Sequence, residues 1–297
     1  MRSLRISSAL SFIIYADSFN PDARTTFSDV ILVKFGGSAI TRKNLFETLD
    51  GEKLDMTSRH MQTASRIYKC KYAIVHGAGS FGHFQAKTYG LSSGGNTNDW
   101  IQGLCETRAS VLKLNNIVIN NQLRYNLPTV SVTLFPSTTT KAKHLAEIGS
   151  LSCVDKLLSA DMWPVLHGDV LLDVLNRCSI YSGDKIMTWL AQHLRDENKP
   201  KLAVFLTDVQ GVFTKPPSDP GAQLIPEILI QKDGSISFPE TSVASHDVTG
   251  GIKGKIECAI EIANHDIPVV IVEAGTSHAL TALSGKIPEV CTVIRKI

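Results

Sequence analysis

The sequence has no marked excess of charge of either sign. Thirty lysines and arginines stand against 28 aspartates and glutamates, a formal charge of +2 over 297 residues. Proteins that bind nucleic acid chiefly through its phosphates need a clear basic excess. The balance therefore predicts no nucleic-acid partner, and it implies that any phosphate chemistry here depends on locally placed cations.

Cysteine spacing of the kind that holds a metal ion or a redox-active pair is also missing. The six cysteines are scattered, without a C-x-x-C pair and without a Cys/His cluster at zinc-ligand spacing. We expect reduced thiols in a reducing compartment and no metal ion held by such a cluster. The chain has no run of 18 or more apolar residues, so no membrane span is predicted. These absences favour a cytoplasmic protein without a membrane partner.

Residues 1–28 are the ambiguous segment. They carry Arg2 and Arg5, several serines and a short apolar run, and no acidic residue precedes Asp17. This composition is typical of a loosely attached N-terminal extension and also of a targeting segment. Both interpretations stay open, so targeting to an organelle is not excluded.

From residue 29 onward, short apolar runs rich in β-branched residues alternate with segments of helical length. The alternation predicts the α/β class, with a mostly parallel open sheet covered by helices on both faces. We expect strands at 30–34, 72–76, 129–133, 165–167, 202–207 and 269–273, and a hairpin from 170–172 and 178–181. We expect helices at 56–69, 98–125, 150–162, 184–196, 251–264 and 277–283, with Asn98 and Ser150 as N-caps. The Pro-rich stretch 215–221 is a candidate mobile loop.

Two glycine-rich segments follow the first two predicted strands. Residues 34–38 read K-F-G-G-S, and Lys43 follows shortly after them. Residues 76–83 read H-G-A-G-S-F-G-H and lead into a helical pattern. Glycines at strand ends and helix N-termini let backbone N–H groups approach an anion, and a lysine adds a point charge. Both segments therefore indicate phosphate binding.

The second segment also has the G-x-G-x-x-G spacing of dinucleotide-binding folds, through Gly77, Gly79 and Gly82. That fingerprint belongs after the first strand of a βαβ unit, with an acidic residue at the end of the next strand. Here it follows the second strand, and the next predicted strand begins only at residue 129. The spacing is therefore weak evidence for a dehydrogenase.

Four later segments extend the pattern, namely H-G-D at 167–169, S-G-D at 182–184, T-D-V-Q-G-V at 207–212 and D-V-T-G-G-I-K-G-K at 247–255. A carboxylate beside a glycine can orient a lysine or a metal-bound nucleotide, or simply cap a helix. The last segment opens a helix with glycines and lysines, which suits an anion. Ligands of an open α/β sheet bind outside the carboxyl ends of its strands. We therefore expect these loops at one rim, in a site for two phosphate-rich ligands.

Taken together, these motifs resemble, in kind and in order, those of the amino acid kinase superfamily, over residues 29 to 297. Within that superfamily the G-A-G-S-F-G-H block, and His83 above all, is similar to the isopentenyl phosphate kinases. The resemblance implies a three-layer αβα sandwich and a homodimer that uses ATP and Mg²⁺. It implies phosphorylation of isopentenyl phosphate to isopentenyl diphosphate, as in an alternative mevalonate route to isoprenoids.

The resemblance also implies roles for individual residues. Catalytic roles fall to Lys34, Lys43, His83 and Asp184, with Asp184 orienting Lys34 and Lys255. The implied nucleotide contacts are Lys34, Gly36, Gly37, Ser38, Gly79, Asp208, Gly251 and Lys255. The implied acceptor contacts are Ala78, His83, Gly168, Asp169 and Gly183. A lobe boundary near Ser182 would then separate an acceptor-binding lobe at 29–181 from a nucleotide-binding lobe at 182–297, although one continuous domain is an alternative.

The apolar tail of such an acceptor needs a dry wall. Leu104, Thr107 and Val111 share one face of the helix predicted at 98–125. They could form that wall or belong to ordinary core, and Tyr181 is a further wall candidate.

Two functional alternatives also remain: a kinase of the same superfamily with another small phosphate or phosphonate acceptor, and a nucleotide-binding sensor without turnover.

Overall fold

A computed structural model describes residues 29–237 and 250–297. Its strands are β1 (Asp29–Phe35), β2 (Cys70–His76), β3 (Thr129–Ser131), β4 (Thr139–Lys141), β5 (His144–Glu147), β6 (Trp163–His167), β7 (Asp169–Leu172), β8 (Cys178–Tyr181), β9 (Pro200–Thr207), β10 (Val212–Phe213), β11 (Leu224–Ile225), β12 (Glu227–Ile230), β13 (Ile236–Ser237), β14 (Val269–Glu273) and β15 (Thr292–Lys296). Its α-helices are α1 (Gly37–Ile40), α2 (Gly51–Tyr68), α3 (His83–Thr88), α4 (Trp100–Arg124), α5 (Val154–Ser159), α6 (Gly183–His193), α7 (Gly250–Ala263) and α8 (Ser277–Leu283).

The main sheet has nine strands among the described residues, in the order β13-β12-β15-β14-β9-β1-β2-β6-β3. The six strands from β14 to β3 run parallel to one another, whereas β15 and β13 are antiparallel to a neighbour. The carboxyl ends of the parallel strands therefore meet at one edge, as the motifs predict. The predicted hairpin is confirmed as the pair β7 and β8.

The strands are buried on both faces, and successive residues point to opposite sides. On β1, Val30 and Leu32 pack with the core that covers α5, α6 and α7. Ile31 and Val33 pack with the core that covers α2, α4 and α8. Two helical layers thus enclose one sheet, which confirms the predicted αβα sandwich.

Helix starts are where the sequence predictions were wrong. Helix α2 begins at Gly51 rather than residue 56, because the Asp50 carboxylate caps it by accepting from the Lys53 N–H. Helix α4 follows Asp99 instead of Asn98, without a side-chain cap. Ser150 lies inside a 3₁₀ turn (Gly149–Cys153) before α5, and its hydroxyl is 2.7 Å from that of Ser137 rather than on a helix N–H.

Several sequence predictions concern larger divisions of the chain. Residues 1–28 lie outside the described residues, as do 238–249. Strand β1 pairs with both β2 and β9, so the sheet is continuous across residue 182, and the division into lobes stays a prediction. In the part of the chain that the structure describes, no helix is long and apolar enough to cross a membrane.

Candidate active site

A cavity of about 190 Å³ opens where β1, β2 and β6 end and where the hairpin β7–β8 leads into α6. Its lining comes from four of the glycine-containing motifs. The residues that line it are Lys34, Gly37, Gly77, Ala78, Gly79, Gly82, His83, Ala86, Thr107, Val111, Gly168, Asp169, Val170, Ile180, Ser182, Gly183 and Asp184. Segments that are far apart in the chain are therefore brought to one site, as the parallel sheet predicts.

The first two glycine-rich loops contact each other backbone to backbone. A Cβ atom on Gly37 would lie 2.7 Å from the Cα of Gly79, and one on Gly77 would lie 2.8 Å from the Gly37 nitrogen. Gly79 also has a φ of +50°, which side-chain-bearing residues rarely adopt. Only glycine permits this approach, which holds the loop after β1 against the loop after β2.

Lys34 is a buried cation paired with a carboxylate across the sheet edge. It is 6% exposed, and its Nζ lies 2.9 Å from Oδ1 of Asp184 in the first turn of α6. Gly183 leaves room for this side chain, since a Cβ there would lie 3.3 Å from the Lys34 Cε. The Ser182 hydroxyl caps α6 by accepting from the Lys185 N–H. The pair that sequence analysis placed together, Lys34 and Asp184, is thus in contact.

Lys255, in α7, faces the same cluster of charges. Burial, followed by the nearby charge of Lys34, lowers the pKa of Lys255 to about 8, although Asp184 and Asp208 oppose the shift. Lys43 lowers it further. Three lysines and two carboxylates therefore surround one region beside the cavity, which is a cation-rich environment suited to polyphosphate.

Asp208 follows β9 and accepts a hydrogen bond of 2.8 Å from the Ser38 hydroxyl. Burial alone would raise the pKa of Asp208, but hydrogen bonds from Ser38 and the backbone, with the charges of Lys43 and Lys255, outweigh it and lower the pKa. Asp208 is therefore ionised at neutral pH. Gly251 lies in the first turn of α7.

Lys43 is exposed on the loop between α1 and α2. Burial and then the charge of Lys43 lower the pKa of His83, and Lys43 also acts on Asp208 and Lys255. Lys43 is therefore close enough to His83, Asp208 and Lys255 for its charge to affect all three.

The loop that carries Lys43 is anchored by residues that sequence analysis missed. The buried Ser80 hydroxyl donates to the Thr48 carbonyl and accepts from the Thr48 N–H, both at 3.1 Å. Glu47 pairs with Lys113 at 2.6 Å. A serine in a glycine loop carries no distinctive signal, because its partners lie more than 30 residues away.

His83 begins α3 at the mouth of the cavity and is exposed. Because its pKa lies below the ordinary value, the imidazole is mainly neutral at pH 7 in the free protein. A neutral ring still offers one N–H donor. Its position beside the glycine loop allows it to donate to an anion in the cavity.

The apolar end of the cavity is built by Ala86, Thr107, Val111, Val170 and Ile180. Two of the four predicted wall residues, Thr107 and Val111, are among them. Val170 and Ile180 were missed, although the alternation along β8 could have indicated Ile180, because it shares a face with Ser182.

The other two predicted wall residues, Leu104 and Tyr181, lie outside the lining of this cavity. Leu104 packs behind the wall, in a buried cluster with Ala86, Leu91, Val170 and Cys178. Tyr181 follows Ile180 on the strand and so points to the opposite side, where it lines a different cavity with Lys185. Neither side chain lies in the lining of the first cavity.

Asp169 is one of the residues that line the cavity. Its side chain is fully buried and is paired with Arg108 of α4, a residue that sequence analysis missed. Burial raises the pKa of Asp169 to about 6, against the opposing effect of Arg108. The Arg108 guanidinium also lies 4.4 Å from the centre of the Phe135 ring.

Comparisons with known proteins agree with this geometry. The model of the amino acid kinase family matches residues 29–273. The chain is 36% identical to the isopentenyl phosphate kinase of Arabidopsis thaliana, over 86% of this chain and 90% of that protein. It is 31% identical to the isopentenyl phosphate kinase of Methanocaldococcus jannaschii, over 76% of this chain and 85% of that one.

Solved structures show the same likeness. An X-ray structure of isopentenyl phosphate kinase superposes with a TM-score of 0.74 at 29% identity, covering 89% of this chain and 99% of the other. A substrate complex of isopentenyl phosphate kinase gives a TM-score of 0.69 at 27% identity, with 89% and 100% covered. The chain therefore belongs to the amino acid kinase family and, within it, to the isopentenyl phosphate kinases.

Proposed function

We propose that this chain transfers the γ-phosphoryl group of ATP to the phosphate of isopentenyl phosphate, giving isopentenyl diphosphate and ADP. The observation that carries the proposal is the two-ended cavity. One end has Lys34 and His83 beside glycine loops, and the other is apolar with Val111 and Ile180. A phosphate on a short hydrocarbon chain matches both ends. The relatives named isopentenyl phosphate kinase support the same acceptor.

The reaction forms one bond and breaks one. An oxygen of the acceptor phosphate attacks the γ-phosphorus, the bond to the β–γ bridging oxygen breaks, and its electron pair leaves with ADP. A phosphate monoester has a second pKa of about 6 and is mostly dianionic at pH 7. No general base is needed, so the protein contributes positioning and stabilisation of charge.

Each cationic or N–H-donating side chain has a different role in this reaction, set by its position. Lys43 affects His83 on the acceptor side and Asp208 and Lys255 on the nucleotide side, and its role is to stabilise the transferring phosphoryl group. Lys34, held by Asp184, binds phosphate oxygens at the sheet edge. His83 donates its N–H to the acceptor phosphate, together with the Ala78 backbone. These are the roles that the family resemblance implies, and the observed proximity of the groups supports them.

The nucleotide side has the residues that Mg²⁺ with ATP requires. Gly36, Gly37 and Ser38 follow β1, while Asp208 and Lys255 approach from β9 and α7. Magnesium is commonly held by one or two carboxylates together with substrate phosphates. Asp208 and Asp184 fit that pattern, and no group of three or more possible protein ligands occurs among the described residues. When bound, Mg²⁺ neutralises charge on the nucleotide phosphates.

An acceptor panel tests the proposal. ADP release is measured with isopentenyl phosphate, with other small phosphates and phosphonates, and with no acceptor. We expect the highest kcat/KM with isopentenyl phosphate. A preference for another acceptor would favour the alternative kinase of the same superfamily, and ATP binding without turnover would favour a sensor.

Three further expectations belong to the same proposal. We propose a homodimer, a cytoplasmic location with organelle targeting through residues 1–28 as the alternative, and a division of labour between 29–181 and 182–297. The division is supported by Asp208 and Lys255, which follow the proposed boundary. The nucleotide contacts Lys34, Gly36, Gly37, Ser38 and Gly79 precede it, however, and the acceptor contact Gly183 follows it. Sedimentation of the purified protein and imaging of a tagged full-length chain test the first two.

A further inference from the structure

Two buried histidines lie directly behind the cavity, and the chemistry above does not use them. His76 ends β2 and His167 ends β6, and the two are register partners on these neighbouring strands. Both are 0% exposed, and their ring centroids lie 5.4 Å apart. Each is followed by a glycine that lines the cavity, Gly77 or Gly168.

Each ring contacts the carbonyl group of the glycine that follows it. The distance from Nδ1 to the carbonyl oxygen is 3.1 Å for His76 and Gly77, and 3.2 Å for His167 and Gly168. A carbonyl oxygen can only accept, so each of these contacts is a hydrogen bond when Nδ1 carries the proton. Burial lowers the pKa of both imidazoles to about 4, so each ring is neutral at pH 7 and has a single proton.

The remaining ring contacts are compatible with this tautomer. Nε2 of His76 lies 3.2 Å from Oδ1 of Asn115, whose Nδ2 lies 2.6 Å from the Ser131 hydroxyl. A half-turn of the asparagine amide about its Cβ–Cγ bond exchanges the oxygen and the NH₂ group. With Nδ1 of His76 protonated, the amide takes the turned-over orientation, in which its NH₂ donates to Nε2 and its oxygen accepts from Ser131. Nε2 of His167 has no hydrogen-bond partner among the described residues, whereas Nδ1 lies near both the Gly168 carbonyl and, at 3.9 Å, Oδ2 of Asp169. Both acceptors favour the proton on Nδ1.

The orientation of these glycine carbonyls determines where the next N–H points. In a planar trans peptide the carbonyl and the following N–H point in opposite directions. Because the Gly77 carbonyl turns inward to His76, the N–H of Ala78 points away from the buried ring and towards the cavity. Gly77 itself does little to restrict rotation of the peptide between Gly77 and Ala78, because glycine has no Cβ. Without the ring contact, rotation could place a carbonyl oxygen against the bound phosphate.

We propose that His76 and His167 are positioning residues, which as Nδ1–H donors hold the peptides after them so that the phosphate meets an N–H group. His76 directs the Ala78 N–H, and His167 fixes the Gly168 peptide where the cavity wall turns from β6 into β7. The nature of the anion rests on the proposed function. The tautomer and the peptide orientation are independent of that function.

Kinetics of matched variants test the proposal. His76→Leu removes the donor, whereas His76→Asn keeps an N–H near the position of Nδ1. We expect kcat/KM for isopentenyl phosphate to fall about tenfold in His76→Leu, the effect of one lost hydrogen bond, and to recover largely in His76→Asn. The KM for ATP should be unchanged, and His60→Leu on α2 should behave as wild type. A folded His76→Leu with wild-type constants would overturn the proposal.

Two NMR measurements test it without turnover. Imidazole ¹⁵N spectra of the wild type should show the Nδ1–H tautomer for both rings, assigned by loss of signal in the His76 and His167 variants. Titration with inorganic phosphate should shift the Ala78 amide proton in the wild type and in His76→Asn, but much less in His76→Leu. An Nε2–H tautomer, or an Ala78 amide that responds equally in all three proteins, contradicts the positioning role. A wild type that has the expected tautomer but does not phosphorylate isopentenyl phosphate contradicts only the proposed function.

Discussion

We expect kcat/KM for ATP to fall as the pH rises, because a higher pH removes the charge of Lys255. Burial and the neighbouring Lys34 lower the pKa of this ammonium to about 8 in the free protein. The charged fraction is then about 0.9 at pH 7 and about 0.1 at pH 9, from the definition of the pKa. If only the charged form binds the nucleotide phosphates, kcat/KM for ATP should fall about tenfold over this interval. That parameter reports groups of the free enzyme.

The assay is steady-state ADP release at limiting ATP across pH 6.5 to 9.5. Lys255→Arg keeps its charge throughout this range, since guanidinium pKa values exceed about 12, and it should flatten the decline. Lys201→Arg, on an exposed lysine paired with Asp29, serves as the matched control and should keep the wild-type profile. An equal decline in the wild type and Lys255→Arg would refute the reasoning.

The contribution of Lys255 to the free energy of unfolding should rise with pH, whereas kcat/KM for ATP falls. The folded Lys255 loses its proton near pH 8, whereas in the unfolded chain it does so near the ordinary value of 10.5. Between these values the unfolded state binds more protons, so this group makes the free energy of unfolding rise with pH. A loss of activity that accompanies unfolding is therefore distinguishable from a loss of charge.

Other variants separate the remaining roles. Lys43→Ala should lower kcat roughly 10²- to 10³-fold with little change in ATP affinity, since a cation beside the transferring group acts mainly in the transition state; near-normal kcat would remove it from the site. His83→Ala should lower kcat/KM for the acceptor roughly 10- to 100-fold, and His83→Gln should recover part of it. The free enzyme's neutral imidazole predicts no decline in this constant between pH 7 and 8, and a marked decline would assign the donor to the charged ring. Val111→Ala should improve relative activity towards longer prenyl phosphates, whereas Leu104→Ala and Tyr181→Ala should lower only the Tm; an identical chain-length profile in all three would contradict the wall assignment.

The sequence predicts those parts of the site that follow from sheet topology. Lys34 lies near the end of β1 and the 76–83 loop follows β2, and parallel strands bring such ends to one edge. The S-G-D segment follows β8 of the antiparallel hairpin. The approach of Asp184 to Lys34 was therefore expected from the family resemblance rather than from sheet topology. The structure adds the distance between them and the burial of the pair.

Residues whose roles depend on distant partners were not predictable in this way. Arg108 is one polar residue within a long helix, and only the fold shows that it meets Asp169. Ser80 anchors the Lys43 loop through contacts across more than 30 residues. Tyr181 was proposed from its proximity along the chain to Ser182, whereas the alternation of side chains along a strand places it on the side of β8 opposite to Ile180.

The proposed reaction is tested most directly by identifying its product. The purified full-length chain is incubated with ATP, Mg²⁺ and isopentenyl phosphate, and ³¹P NMR follows the phosphorus signals. The two-ended cavity predicts that the monophosphate signal is replaced by the paired signals of a diphosphate monoester, in equal amount to the ADP formed, and that Lys43→Ala slows this conversion. ATP hydrolysis with the monophosphate left intact, or no reaction in a folded protein that binds ATP, would contradict it.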